Sequence, residues 1–256
     1  MTTVNYAEVK TGKAAVQTDV RTLLFARYVQ RAALPEAPPS LDLADQVAEW
    51  PMYGNDTIGD CTCAAAGHMI EAWTGEAGGP VAVVEEQAVL DAYKAVTIGD
   101  GAVLLTVLNY WRKTGIGGHT VGAFAKIPTF DQAVVKVAAF IFGGLYLGVQ
   151  LPESARAQID ANQPWDWNGN LVGDNEPGCW GGPGHGGHAV NVVQYDAEGV
   201  TVVTWGRLQK MTWAFWERYC DEAYCLISQD YLTGGRLTPG GFDIDTLKAD
   251  LALVEG

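Results

Sequence analysis

The apolar pattern of this chain changes period once along its length, and that change constrains the fold more than any other feature. Residues 61–73, 85–96, 104–113 and 131–142 place apolar side chains at helical spacing, as with Val89, Ala92, Tyr93 and Val96. Glycines stop two of these segments, at Gly115-Ile116-Gly117-Gly118 and at Gly143-Gly144. Beyond them the apolar residues come in short runs, at 145–149, 188–195, 200–205 and 224–227. Asp196-Ala197-Glu198-Gly199 joins the second and third runs as a hairpin, and 211–220 reads as a short helix capped by Thr212. Helices followed by antiparallel strands predict an α+β fold with two lobes.

The ends differ from this centre. Within residues 1–34, Val20, Leu23, Leu24, Ala26 and Tyr28 predict a helix with one apolar face, which Leu34-Pro35-Glu36-Ala37-Pro38-Pro39 terminates. Phe242, Ile244, Leu247 and Leu251 form a second strip near the C-terminus. The chain therefore reads as an N-terminal helical extension over 1–34, a central domain over 35–235 and a tail with a short helix over 236–256. The centre already holds the elements of a complete domain. At least one end is expected to reach outward, into self-association or a larger protein assembly.

Charge and composition exclude several classes of function. With 30 Asp and Glu against 16 Lys and Arg, the net charge is −14 and no basic patch offsets it, so nucleic acid is not an expected partner. The longest nearly apolar run, 137–149, is shorter than the roughly 20 residues a bilayer requires, and no membrane partner is expected. The N-terminus lacks the basic and apolar regions of a signal peptide, and five unevenly spaced cysteines do not form a disulfide pattern. The expected setting is the cytoplasm, or a virion or other assembly.

Two local motifs carry chemistry. In Gly54-Asn55-Asp56-Thr57-Ile58-Gly59-Asp60-Cys61 a tight turn delivers a cysteine to a helix N-terminus, where unpaired N–H groups favour a thiolate and can hold an oxyanion. Asp60 opposes this through its charge. In Gly181-Gly182-Pro183-Gly184-His185-Gly186-Gly187-His188 a glycine-rich loop places a histidine at the mouth of a strand, suited to a general base. A cysteine and a histidine distant in sequence are the usual components of a thiol nucleophile and its base.

These residues resemble the papain-like cysteine peptidases. Asn55 stands six residues before Cys61, where that family has glutamine, and Gly59 stands two before. His188-Ala189-Val190 matches the family's strand start, and Val203-Thr204-Trp205-Gly206 falls on its Asn-Ser-Trp-Gly motif. The helix, glycine stop and strand of 132–149 also follow the family's order, and the resemblance spans 39–230. It implies a papain-like two-lobed fold, with Cys61 on the helical lobe and His188 on the antiparallel β lobe. It also implies a peptide or amide substrate, with Cys61 as nucleophile, His188 as base, and Asn55 with the Cys61 N–H holding the oxyanion. The family's histidine-orienting asparagine falls on Val203. Hairpin pairing of Tyr195 with Val200 sets Thr204 opposite Asn191 and makes Thr204 the substitute, with Asp196 a weaker one. The unmatched asparagine, Asp60 and the extra ends also fit a papain-like fold without catalysis, a structural component of a bacterial or phage assembly.

The remaining candidates read as structure. Cys63 and His68 belong to helix packing, His119 and His185 to loops, and Trp205, Trp213 and Trp216 to the core or to a cover over the site. Cys179, His185 and His188 with Cys61 or Cys63 match no common zinc spacing, and the glycines 182, 184 and 187 precede a strand where a dinucleotide loop would precede a helix. No cofactor or metal is expected. Cys61 is expected to begin its helix with the sulfur near a His188 ring nitrogen, to have a lower thiol pKa than Cys63, and to share a cleft with the Asn55 amide.

Overall fold

The structure, a computed structural model, describes residues 4–6, 8–26, 35–167, 169, 179–180 and 185–228. Its spine is an eight-stranded sheet. Along it run β1 (Leu23–Leu24), β3 (Val121–Lys126), β8 (Cys220–Ser228), β4 (Leu145–Gln150), β5 (Gly187–Tyr195), β6 (Gly199–Thr204) and β7 (Arg207–Thr212), while β2 (Leu41–Asp42) pairs with β5. The β1–β3 pair is parallel and the others are antiparallel.

Helices cover both faces. α1 (Cys61–Glu76), α2 (Glu86–Val96) and α3 (Leu104–Lys113) share one core with Tyr146, Ala189, Tyr224 and Leu226 of the sheet. α4 (Gln132–Phe142), α5 (Glu153–Asp160) and α6 (Trp213–Tyr219) share the other core with Leu147, Val190, Val192 and Ala223. Ala189 and Val190 thus face opposite cores, which is why 188–195 reads as a nearly continuous apolar run. α1 is buried on nearly every side, and its Ala64-Ala65-Ala66 lets neighbours approach closely. Asp131 caps α4 by accepting from Val134 N at 3.2 Å, and Gly143, left-handed at φ 69°, ends it.

Three sequence expectations are corrected. Leu23 and Leu24 are extended and pair with Ala125 and Lys126, because the apolar strip finds an open strand edge. Phe25 packs edge-on against Phe142 at 5.7 Å, so the described part of the N-terminal segment folds onto its own domain. Residues 27–34 and the 242–253 strip lie outside the described residues. The short helix starts only at Trp213, since Met211 and Thr212 complete β7; Thr212 still caps it, accepting from Phe215 N at 3.1 Å. In the hairpin Tyr195 does face Val200, but a bulge between Val192 and Gln194 sets Asn191 opposite Val203, not Thr204.

Candidate active site

β6 and β7 are joined by Trp205 and Gly206, at φ 43° and 71°. Two successive left-handed residues make the tight turn that matches strand twist, but a bulky residue there is strained, on the order of 1 kcal/mol. The turn brings the Trp205 indole over His188, ring centroids 4.4 Å apart and planes within 19°. Trp180 packs against the same indole at 5.0 Å. His188, the second residue of β5, has no exposed surface, and its Nε2 lies 2.7 Å from Thr204 Oγ1. Its Nδ1 has no hydrogen-bond partner among the described residues. Burial pulls the imidazole pKa down to about 3, so the ring is neutral.

Cys61 is the first residue of α1, where unpaired backbone N–H groups collect. Backbone N–H groups of Ala189 and Gly12 approach its sulfur and favour the thiolate, as does the Lys13 charge; burial and the Asp60 charge oppose them. Burial is the largest of these effects and pushes the thiol up to about 12. Cys63, two residues on, is pushed up further, chiefly by burial. The sulfur therefore lies beside the backbone of the residue following His188, and both groups are neutral. Asp60 precedes it without capping the helix. Its buried carboxylate has no partner at full hydrogen-bond geometry, although the Asn55 amide lies close enough to favour the anion; burial dominates and raises its pKa to about 7. Asn55 is itself buried and donates from Nδ2 to Ile58 O at 3.1 Å, which fixes it within its own turn.

The chain's own N-terminal segment lies across this site. Trp205 Nε1 donates to Lys10 O at 3.2 Å, and Thr11 Oγ1 donates to His185 O. Ala102 N donates to Gly12 O at 2.8 Å, Ala14 N to Ala102 O at 2.9 Å, and Lys13 N to Gly187 O at 2.9 Å. Residues 10–14 thus bridge Ala102, two residues ahead of α3, on the helical side and Gly187, the residue ahead of His188, on the sheet side. The crossing depends on glycine: a Cβ on Gly12 would collide with Gly59 O, and one on Gly101 or Gly187 would collide with the carbonyls of Gly12 or Lys13. A cavity of about 820 Å³ bounded by Gly59, Asp100 and His185 lies on one flank. Another of about 730 Å³ bounded by Trp50, Met52 and Trp205 lies on the other, and Glu8, Val9 and Lys10 line both.

The structure thus joins Thr204 to His188, sets Cys61 beside β5, and holds Asn55 in the turn ahead of Cys61. Sequence reasoning missed the N-terminal occupant; its signal was the set of glycines at 12, 59, 101 and 187, scattered too widely to be read together.

No family model matches the sequence, and no curated protein matches it significantly. Solved structures do. Xylellain, a cysteine protease from Xylella fastidiosa, is 14% identical with a TM-score of 0.61, over 86% of this chain and 96% of that one. Procathepsin B from Trypanosoma congolense is 13% identical with a TM-score of 0.56, over 88% and 89%. A Carica candamarcensis cysteine protease solved with E-64 is 16% identical with a TM-score of 0.52, over 74% and 98%. The fold is papain-like, a divergent form of the cysteine protease architecture.

Proposed function

We propose that this chain is a papain-like cysteine peptidase, or a related amide hydrolase or acyltransferase, built on Cys61 and His188. The observation that carries the reading is the Thr204–His188 contact beneath Trp205, which supplies the orienting partner that Val203 cannot. With Nε2 committed to Thr204, Nδ1 is the nitrogen left to take the Cys61 proton. The resulting thiolate attacks a peptide or amide carbonyl. The oxyanion is held at the α1 N-terminus by the Cys61 N–H, with Asn55 beside it. His188 then protonates the leaving amine, and water or another acceptor releases the acyl group from sulfur.

The complete burial of Cys61 and His188 favours a second reading, a papain-like fold retained as a structural component of an assembly. Mass spectrometry after treatment with an electrophilic cysteine-protease probe separates the two, using the full chain with Gly12→Arg to displace the covering segment. Fast, single labelling at Cys61 that His188→Ala abolishes supports the enzyme. No labelling in a folded, opened chain supports the structural component.

A further inference from the structure

The N-terminal segment places one side chain deep in the sheet lobe. Lys13 Nζ lies 2.8 Å from Asp221 Oδ2 and 3.5 Å from Glu222 Oε1, with its side chain 1% exposed and that of Glu222 fully buried. Tyr224 Oη donates to Glu222 Oε2 at 2.9 Å and holds that carboxylate in place. Among the described residues, Glu222 Oε1 and Asp221 Oδ1 have no hydrogen-bond partner. Gly148, opposite Glu222 in the sheet, leaves the passage open: a Cβ there would collide with Lys13 Cε and crowd both carboxylates. The pocket is thus a channel shaped for an unbranched cationic side chain and closed by two acids. Its occupant arrives on an extended stretch whose backbone bonds to Gly187 and Ala102, and whose Gly12 N–H faces the Cys61 sulfur. A polypeptide therefore already lies along the candidate site, with a lysine in this pocket and a glycine against Gly59.

We propose that the Asp221–Glu222 pocket is a lysine-selective substrate subsite, presently filled by Lys13, and that the substrates are polypeptide segments carrying a glycine followed by a lysine. This rests on the peptidase reading of Cys61 and names its substrate class. Glycine is required where the segment passes Gly59, and the ammonium is required where the buried Glu222 carboxylate, beside the partly exposed Asp221, would otherwise be left uncompensated. The segment itself is not cut in this pose because the sulfur meets an amide N–H rather than a carbonyl carbon.

The test uses the full chain with Cys61→Ser and Gly12→Arg, the arginine being too large to lie over Gly59. A fluorescent peptide of residues 4–14 is titrated by anisotropy, beside the same peptide with norleucine or glutamate in place of the second lysine. The expected result is binding of the lysine peptide, at least ten-fold weaker binding of the norleucine peptide and none of the glutamate peptide. Adding Asp221→Asn and Glu222→Gln should remove the lysine preference. Equal binding of lysine and norleucine peptides, or no binding of any, overturns the proposal. So does loss of cooperative unfolding in both the Gly12→Arg and the Lys13→Glu chains, which would make residues 10–14 part of the core. A chain that selects lysine here but never cleaves with Cys61 restored would sink the peptidase reading alone; one that cleaves without regard to lysine would sink the subsite alone.

Discussion

Thr204 Oγ1 and His188 Nε2 lie 2.7 Å apart in a buried setting, so a hydroxyl is the partner of this ring nitrogen. Thr204→Val keeps the shape and deletes this partner. A buried ring nitrogen left unpaired costs about 1–3 kcal/mol of stability. Loss of the group that orients a catalytic histidine can lower the rate by about 10²–10⁴. Thr204→Ser should retain most of both. Denaturant melts and the rate of Cys61 alkylation in the opened chain check this, and equal rates for the valine and serine variants would remove Thr204 from the site.

Gly12→Ala should uncover Cys61. The added methyl meets backbone on Gly59, which cannot yield as a side-chain tip could. Iodoacetamide labelling of Cys61 should accelerate at least ten-fold, while Cys63 stays protected in the helix interior. Across pH, the uncovered Cys61 should label with a lower midpoint than Cys63. Peptide mapping of the labelled chain gives both quantities, and equal rates at the two cysteines would count against a reactive Cys61.

Asp60 and Glu71 should each withdraw stability as pH rises from about 4 to about 7, against the buried His68 and His188, which add stability up to their ordinary value of 6.5. Burial raises Asp60 and Glu71, each to about 7, from ordinary values of 3.8 and 4.5. Between each ordinary value and about 7 the folded chain holds protons that the unfolded chain has released, so raising pH favours unfolding. The combined effect is on the order of a few kcal/mol. Tyr53 Oη donates to Glu71, so Glu71→Gln tests one half of this and Asp60→Asn the other. Urea titrations at pH 5 and 7.5 should show each variant gaining stability relative to the unaltered chain as pH rises.

Deleting residues 1–34 should give a less stable chain. It removes the β1–β3 pair, the Phe25 contact with Phe142, and the buried Lys13 ammonium that Glu222 faces. A buried carboxylate stripped of its partner costs about 3–5 kcal/mol. Calorimetry and sedimentation of the full and shortened chains measure stability and association together. An unchanged melting temperature would show that the segment contributes nothing to the fold.

The elements that were legible in the sequence are those with a strong local signal. α3 was legible because its apolar residues keep one period across 104–113, and α4 because Asp131 and Gly143 mark its two ends. The β5–β6 hairpin was legible because Asp196 accepts from Glu198 N and Gly199 N, a turn written in four consecutive residues. The bulge after Val192 was not, since valines on both sides of it leave the alternation featureless. Leu23 and Leu24 misled because apolar residues that close together suit a helix face and a short edge strand equally. Cys61 and His188 could be found from their flanking glycines. Their burial could not, because the cover over Cys61 includes Gly12, far upstream, and that over His188 is the Trp205 indole from the next hairpin turn.

The Lys13–Asp221 contact spans 208 positions of sequence. Lys13 is synthesised well before its acidic partner, which lies in the last described strand of the sheet. At about 5–20 residues per second, roughly 10–40 s separate the appearance of the two. Once Cys61 has been made, the nascent chain carries it without its complete cover, so the thiol has a window for oxidation or capture that closes only when β8 takes its place between β3 and β4.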